Sequence, residues 1–162
     1  MTLRPATVLI DLEGIVRMDN AARRPELKIE WLIRGINQSF PEQGVVAHAV
    51  RAFARTVHVE AERRRLISSL FESAQFHCVW SDEKADIALK QFVSEHLIGV
   101  LDDPKPVIIL IANDQHFVKD VERLKAHGYE VWAMGTGMGK RLKGSATKVV
   151  FLQEVLGRFR LD

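Results

Sequence analysis

The chain has 162 residues, a length that suits one domain spanning residues 1–162. Its 47% hydrophobic and 27% charged residues are ordinary for a soluble globular protein, and no apolar stretch approaches the roughly 20 residues needed to span a bilayer. A net charge of +2 and a pI of about 8.8 permit a polyanionic partner without requiring one. The lone cysteine, Cys78, cannot form an internal bridge and is expected to be a buried, inert thiol. A reducing cytoplasmic setting is the default that follows. Asp11 interrupts the only early apolar run, so no cleavable signal is expected.

In chain order, Val8-Leu9-Ile10 is a short continuous apolar run ending at Asp11, as expected of a strand buried on both faces. From Glu26 to Phe40, Ile29, Ile33, Ile36 and Phe40 recur at helical spacing, with Pro25 suited to the first turn. Pro41 and Gly44 close that segment. Val45 to Ala54 reads as a second strand. A helix is expected from about Val57 to Ala74, with Leu66, Leu70 and Ala74 inward and Arg63, Arg64 and Arg65 toward solvent.

Phe76 to Trp80 reads as a third strand, and Asp82 to Leu97 as a helix whose core face is Ala85, Leu89, Phe92, Val93 and His96. Val107 to Ile111 is the most apolar strand. Phe117, Val121 and Leu124 mark one face of the next helix, with Gly128 as its cap. Tyr129 to Met134 is a fifth strand and Gly135 to Gly144 a mobile loop. Val149 to Leu156 fits either a strand or a helix. Trp31, Trp80 and Trp132 fall within apolar patterns and are expected in the core.

Strands alternating with helices predict an α/β fold of three layers, α/β/α, around a mostly parallel sheet of about five strands. Ligands in such sheets bind outside the carboxyl ends of the strands. Asp11 ends the first strand and Asp114 lies just past the fourth. If those strands are neighbours, the topological switch point lies between them and both carboxylates share one crevice. Asp86 lies beside the apolar face of its helix and can lean over the sheet edge. Converging carboxylates repel one another unless a cation is present. Mg²⁺ or Mn²⁺ suits such oxygen ligands and keeps waters that serve phosphodiester hydrolysis. Each Asp taken singly also fits a cap, a turn or a solvated helix position.

Three segments carry a resemblance: VLIDLEGIV at 8–16, KADIALKQFV at 84–93 and VIILIANDQHFVKDVERLKAHGYEVWAMG at 107–135. They resemble the NYN domains, a group of PIN-like nucleases, and the last block is the most specific. Residues 40–75 and 136–162 are only loosely covered. The resemblance implies a metal-dependent ribonuclease or RNA-processing factor, with Asp11, Asp86 and Asp114 holding Mg²⁺ or Mn²⁺. The implied enzyme class is a hydrolase, an endoribonuclease. The implied partner is RNA, single-stranded or structured, with no membrane; a homo-oligomer is left open.

Two positions depart from the family pattern. Gly14 stands where the family usually has Asn, and His116 replaces the second acid of the turn after the fourth strand. Histidine binds Mn²⁺ or Zn²⁺ but is a poor Mg²⁺ ligand. It can instead donate a proton to the leaving oxygen, which keeps His116 among the candidate catalytic residues. Glu13 could replace the missing ligand or point to solvent.

A nuclease also needs positive charge along its substrate path. Arg17, Arg23 and Arg24 follow the first strand, and Lys140, Arg141 and Lys143 follow the fifth; both groups are expected on the edge that holds Asp11.

Two rival readings use the same residues. DLEGIV also resembles the nucleophile turn of haloacid-dehalogenase-like phosphatases, with Asp11 as nucleophile and Glu13 as general acid. That family needs a lysine followed by paired acids, and none follow Lys140; Asp114 and Asp120 have the wrong spacing. The other rival is a catalytically weakened, RNA-binding or regulatory module on the same fold.

Overall fold

The computed structural model describes residues 2–18, 24–100 and 104–152. Among the described residues six strands form one sheet: β1 (Arg4–Asp11), β2 (Val45–Arg55), β3 (His77–Ser81), β4 (Val107–Ile111), β5 (Val131–Gly135) and β6 (Lys148–Phe151). Their spatial order is β3-β2-β1-β4-β5-β6, and every neighbouring pair is parallel. The sheet therefore has one strand more than the expected five, because Lys148–Phe151 adds a strand at the β5 edge.

Alternation along each strand sorts the core into two layers. Val8, Ile10, Ile109 and Ile111 pack on one face of the sheet, and Leu9, Ile108 and Leu110 on the other. Two helices cover the first face: α2 (Pro25–Ser39) through Ile29, Leu32, Ile33 and Ile36, and α3 (Ala61–Ser73) through Ile67 and Phe71. The second face is covered by α4 (Ala85–Phe92), α5 (Val118–Ala126) and the short α6 (Lys140–Ser145). This makes the three-layer α/β/α architecture. The helices change face where the chain changes direction across the sheet, as right-handed crossovers require. No described helix is long and apolar enough to cross a membrane.

Most helix signals act as their chemistry dictates. Pro25 occupies the first turn of α2, and Gly128 follows α5 with φ 91°, a left-handed conformation that suits glycine. Cys78 is buried, which pushes its thiol up to about 12 and leaves it inert. Trp132 is buried, whereas Trp31 and Trp80 are only partly so; Trp80 donates to Ser68 Oγ at 2.8 Å.

Five expectations differ from the structure. α3 begins at Ala61 rather than near Val57, after a turn in which His58 takes φ 67°. Its inward face is centred one residue later than expected: Ile67 and Phe71 are fully buried and Leu66 is 53% exposed, while Leu70 and Ala74 pack partly buried against the core. Arg63 and Arg64 are not free on a solvent face. Arg63 donates to Glu26 and to the Met18 carbonyl, and Arg64 to the carbonyls of Thr56 and Val59; Arg65 alone is exposed. His96 is exposed, because the helix widens into a π turn over Val93–Leu97 and turns that ring outward. The segment expected to be a loop at 135–144 contains most of α6, anchored by buried Leu142.

The shifted phase of α3 gives a direct test. Ile67→Ala should cost about 2–5 kcal/mol of unfolding free energy, and Leu66→Ala no more than about 0.5 kcal/mol, both read by urea denaturation. Equal losses would restore the original phase.

Candidate metal centre

β1 and β4 lie side by side, with Ile10 paired to Ile111, so the switch point falls between them. Asp11 ends β1 and its side chain accepts from the Gly14 N–H at 3.4 Å, capping the single turn α1 (Leu12–Ile15). Asp114 caps the turn after β4, its Oδ1 accepting from the His116 N–H at 2.8 Å. Both aspartates are therefore caps, and capping uses only part of each carboxylate.

Asp86 sits in the first turn of α4, whose start is fixed from a distance. Glu13 accepts from the Ala85 N–H at 3.3 Å, supplying the missing cap to a helix that begins without one of its own. Glu13 is thus more than a solvated side chain. It ties the loop after β1 to the helix that carries Asp86.

Asp86, Asp114 and His116 come together: one ligand atom from each lies within 4.8 Å of the other two. His116 Nδ1 is 3.1 Å from Asp114 Oδ1, and the imidazole side chain is 75% exposed at the rim. Asp11 is not in this trio. It is 5% exposed and lies behind it, near enough to feel the charges of Asp86 and Asp114.

Burial is the main cause that pushes Asp11 up to about 6. The Gly14 hydrogen bond pulls the other way, and the charges of Glu13, Asp86 and Asp114 add to the rise. The close approach of Asp11 to its loop depends on Gly14, where a Cβ would stand 2.7 Å from Asp11 Oδ2. An asparagine there, as in the family pattern, would force the carboxylate aside.

Two neighbours of Asp114 that no sequence pattern marks hold the loops around it. Asn113 Oδ1 accepts from the N–H groups of Thr136 and Gly137 at 2.8 and 3.0 Å, and its amide donates to the Gly14 carbonyl and Thr136 Oγ1. Gln115 Oε1 accepts from the Leu142 N–H at 2.9 Å, fastening α6 to the turn. The nearest sequence signal is glycine: a Cβ at Gly135 or Gly139 would collide with Asn113 or Gln115.

The expected basic residues are spread more widely. Arg17 and Arg24 are exposed after β1, and Lys140 and Arg141 are exposed on α6, which Gln115 holds next to the His116 turn. Lys143 is partly buried, with Nζ 4.9 Å from the Phe151 ring centre. Arg23 lies outside the described residues.

The raised Asp11 pKa has a consequence for stability. The folded state binds the Asp11 proton more tightly than the unfolded chain, so this residue's contribution to stability is full below about pH 4 and is lost as pH rises through about 6. Asp11→Asn keeps the cap and removes the buried charge. Without metal it should gain on the order of 2–3 kcal/mol at pH 7 and flatten this pH dependence, as measured by denaturation across pH. An unchanged profile would mean that Asp11 ionises normally.

No protein-family profile matches the chain, and no curated protein matches it significantly. Among solved structures, the chain is similar to a protein of unknown function from Vibrio parahaemolyticus, at 15% identity and a TM-score of 0.66. The likeness covers 94% of this chain and 95% of that one, and at this identity it speaks for the fold alone.

Proposed function

We propose that this chain is a divalent-metal-dependent ribonuclease of the NYN/PIN-like kind, with Asp86, Asp114 and His116 as the ion's ligands and Asp11 behind them. The observation that carries the reading is the convergence of those three side chains within 4.8 Å at the switch point of a parallel sheet. Two carboxylates and an imidazole form a mixed oxygen and nitrogen donor set, which fits Mn²⁺ better than Mg²⁺.

When bound, the ion would neutralise charge developing on a phosphodiester and acidify a water. The chain's own groups would do the rest. Nδ1 of His116 lies 3.1 Å from Asp114 Oδ1 and is the nitrogen placed to share the ion with it; a His116 that stayed off the ion would instead be the group to give a proton to the leaving oxygen. Asn113, Gln115 and Glu13 hold the three loops, and with them Asp86 and Asp114, in fixed relation. Arg17, Arg24, Lys140 and Arg141 would carry the RNA backbone. Such an enzyme would work in the cytoplasm, where the single buried thiol of Cys78 stays reduced.

One observation favours a second reading, an RNA-binding module with weakened catalysis. A largely exposed histidine occupies the place of an acid, which lowers the negative charge available to hold a cation. The phosphatase reading has less support, because no paired acids follow Lys140 and Asp114 and Asp120 have the wrong spacing.

Purified protein incubated with single-stranded RNA should cleave it with Mn²⁺ and more slowly with Mg²⁺. Asp86→Asn and Asp114→Asn should each lower the rate by at least about a hundredfold, beyond the cost of losing an outer-shell partner. Cleavage that persists in both variants would place the chemistry elsewhere. RNA binding without cleavage, converted to cleavage by His116→Asp, would identify the weakened module. Phosphate release from a simple phosphomonoester with RNA untouched would favour the phosphatase.

A further inference from the structure

On the far side of Glu13 from the helix that it caps lies a cavity of about 240 Å³. Its walls include Glu13, Arg17 and Met18 from the end of the β1 loop, and Arg55, Val57 and His58 from the end of β2. It is not a chance gap between loose loops. The Thr56 N–H donates to the Ser81 carbonyl at 2.8 Å, and Arg64 clamps the carbonyls of Thr56 and Val59 from below. The turn is held tightly enough that His58 keeps its left-handed φ of 67°.

The lining is chemically divided. Arg17, Arg55 and His58 offer nitrogen donors, while Met18 and Val57 offer apolar surface. Arg55 commits Nε to the Asp82 carbonyl at 3.2 Å, which orients the guanidinium and leaves its terminal NH₂ groups. Among the described residues, Arg17 and His58 make no hydrogen bond or ion pair. The one acid of the lining, Glu13, is turned to the Ala85 N–H. At about 30 Å³ per water, the volume equals roughly eight waters, room for a phosphate with the sugar or base beside it.

Position links the cavity to the site. Glu13 lines the cavity, and its carboxylate caps the helix whose second residue is Asp86. A strand with one phosphodiester at the trio would pass over Glu13 into this cavity. We propose that the cavity seats one nucleotide of the RNA strand next to the bond to be cut. Its internal phosphate lies between Arg17 and Arg55, and its sugar or base lies against Met18 and Val57. This subsite rests on the ribonuclease reading, yet binding there needs no metal.

The test uses the full chain in EDTA with a short fluorescein-labelled 2′-O-methyl oligoribonucleotide, which cannot be cleaved through its 2′ oxygen. Arg17→Ala should weaken binding about tenfold, the worth of one charge-assisted hydrogen bond, and lower the salt slope by about 0.7. Arg65→Ala, which removes the same charge from the exposed face of α3, should bind as wild type. In NMR spectra the amides of Val57, His58 and Val59 should shift as the oligonucleotide is added. Wild-type affinity in Arg17→Ala overturns the subsite, as does a tenfold loss with those amides unmoved. Failure of the oligonucleotide to bind the wild-type chain also overturns it. The two readings fail separately: RNA cleavage with an indifferent Arg17→Ala sinks the subsite alone, and binding through this cavity without cleavage sinks the catalytic reading alone.

Discussion

Ile10 pairs with Ile111 at the centre of the sheet, and on either side of that pair the chain winds in opposite directions. The loops leaving β1 and β4 therefore part company, and a crevice opens over the strand ends. Asp11 follows Ile10 directly, and Asp114 lies three residues past Ile111. Their positions are fixed by packing as much as by chemistry. A one-residue slip of β4 would send Ile109 and Ile111 into the wrong layer, and burial on both faces forbids it.

That constraint concentrates negative charge where little water can screen it. Asp11 shows the result, since burial and its acidic neighbours hold it near 6. A fold selected only for stability would put an apolar or neutral group there. Polar side chains instead brace the surroundings: Glu13 caps α4, Asn113 bridges the loops after β1 and β5, and Gln115 fastens α6. Capping and ligation are compatible roles, because a cap engages only one carboxylate oxygen. Asp114 can thus be both an ordinary turn residue and a metal ligand.

Much of this was legible in the residues. β4 is apolar throughout because both of its faces are covered, and that same run located Asp114. That β1 and β4 are neighbours stood only as a condition, because alternation of strands and helices fixes a parallel sheet but not its strand order. The phase of α3 was not legible, since Leu66 and Ile67 are adjacent and both apolar, so periodicity alone could not choose between them. α6 and β6 were hidden for a different reason: Leu142 is the only buried side chain of α6, too little to make a period. Asn113, Gln115 and Glu13 act on groups 23, 27 and 72 residues away, so no local pattern reports them. Asp86 was found through its helix face, whereas its closeness to His116 depends on the cap that Glu13 provides.

The central claim is that the switch-point crevice is a metal site built from Asp86, Asp114 and His116. Anomalous diffraction from Mn²⁺-soaked crystals tests it most directly. The account predicts a peak between the two carboxylates and the imidazole, with metal–oxygen distances of about 2.2 Å. A crevice without a peak at millimolar Mn²⁺, or a peak bound only by surface groups elsewhere, would contradict it.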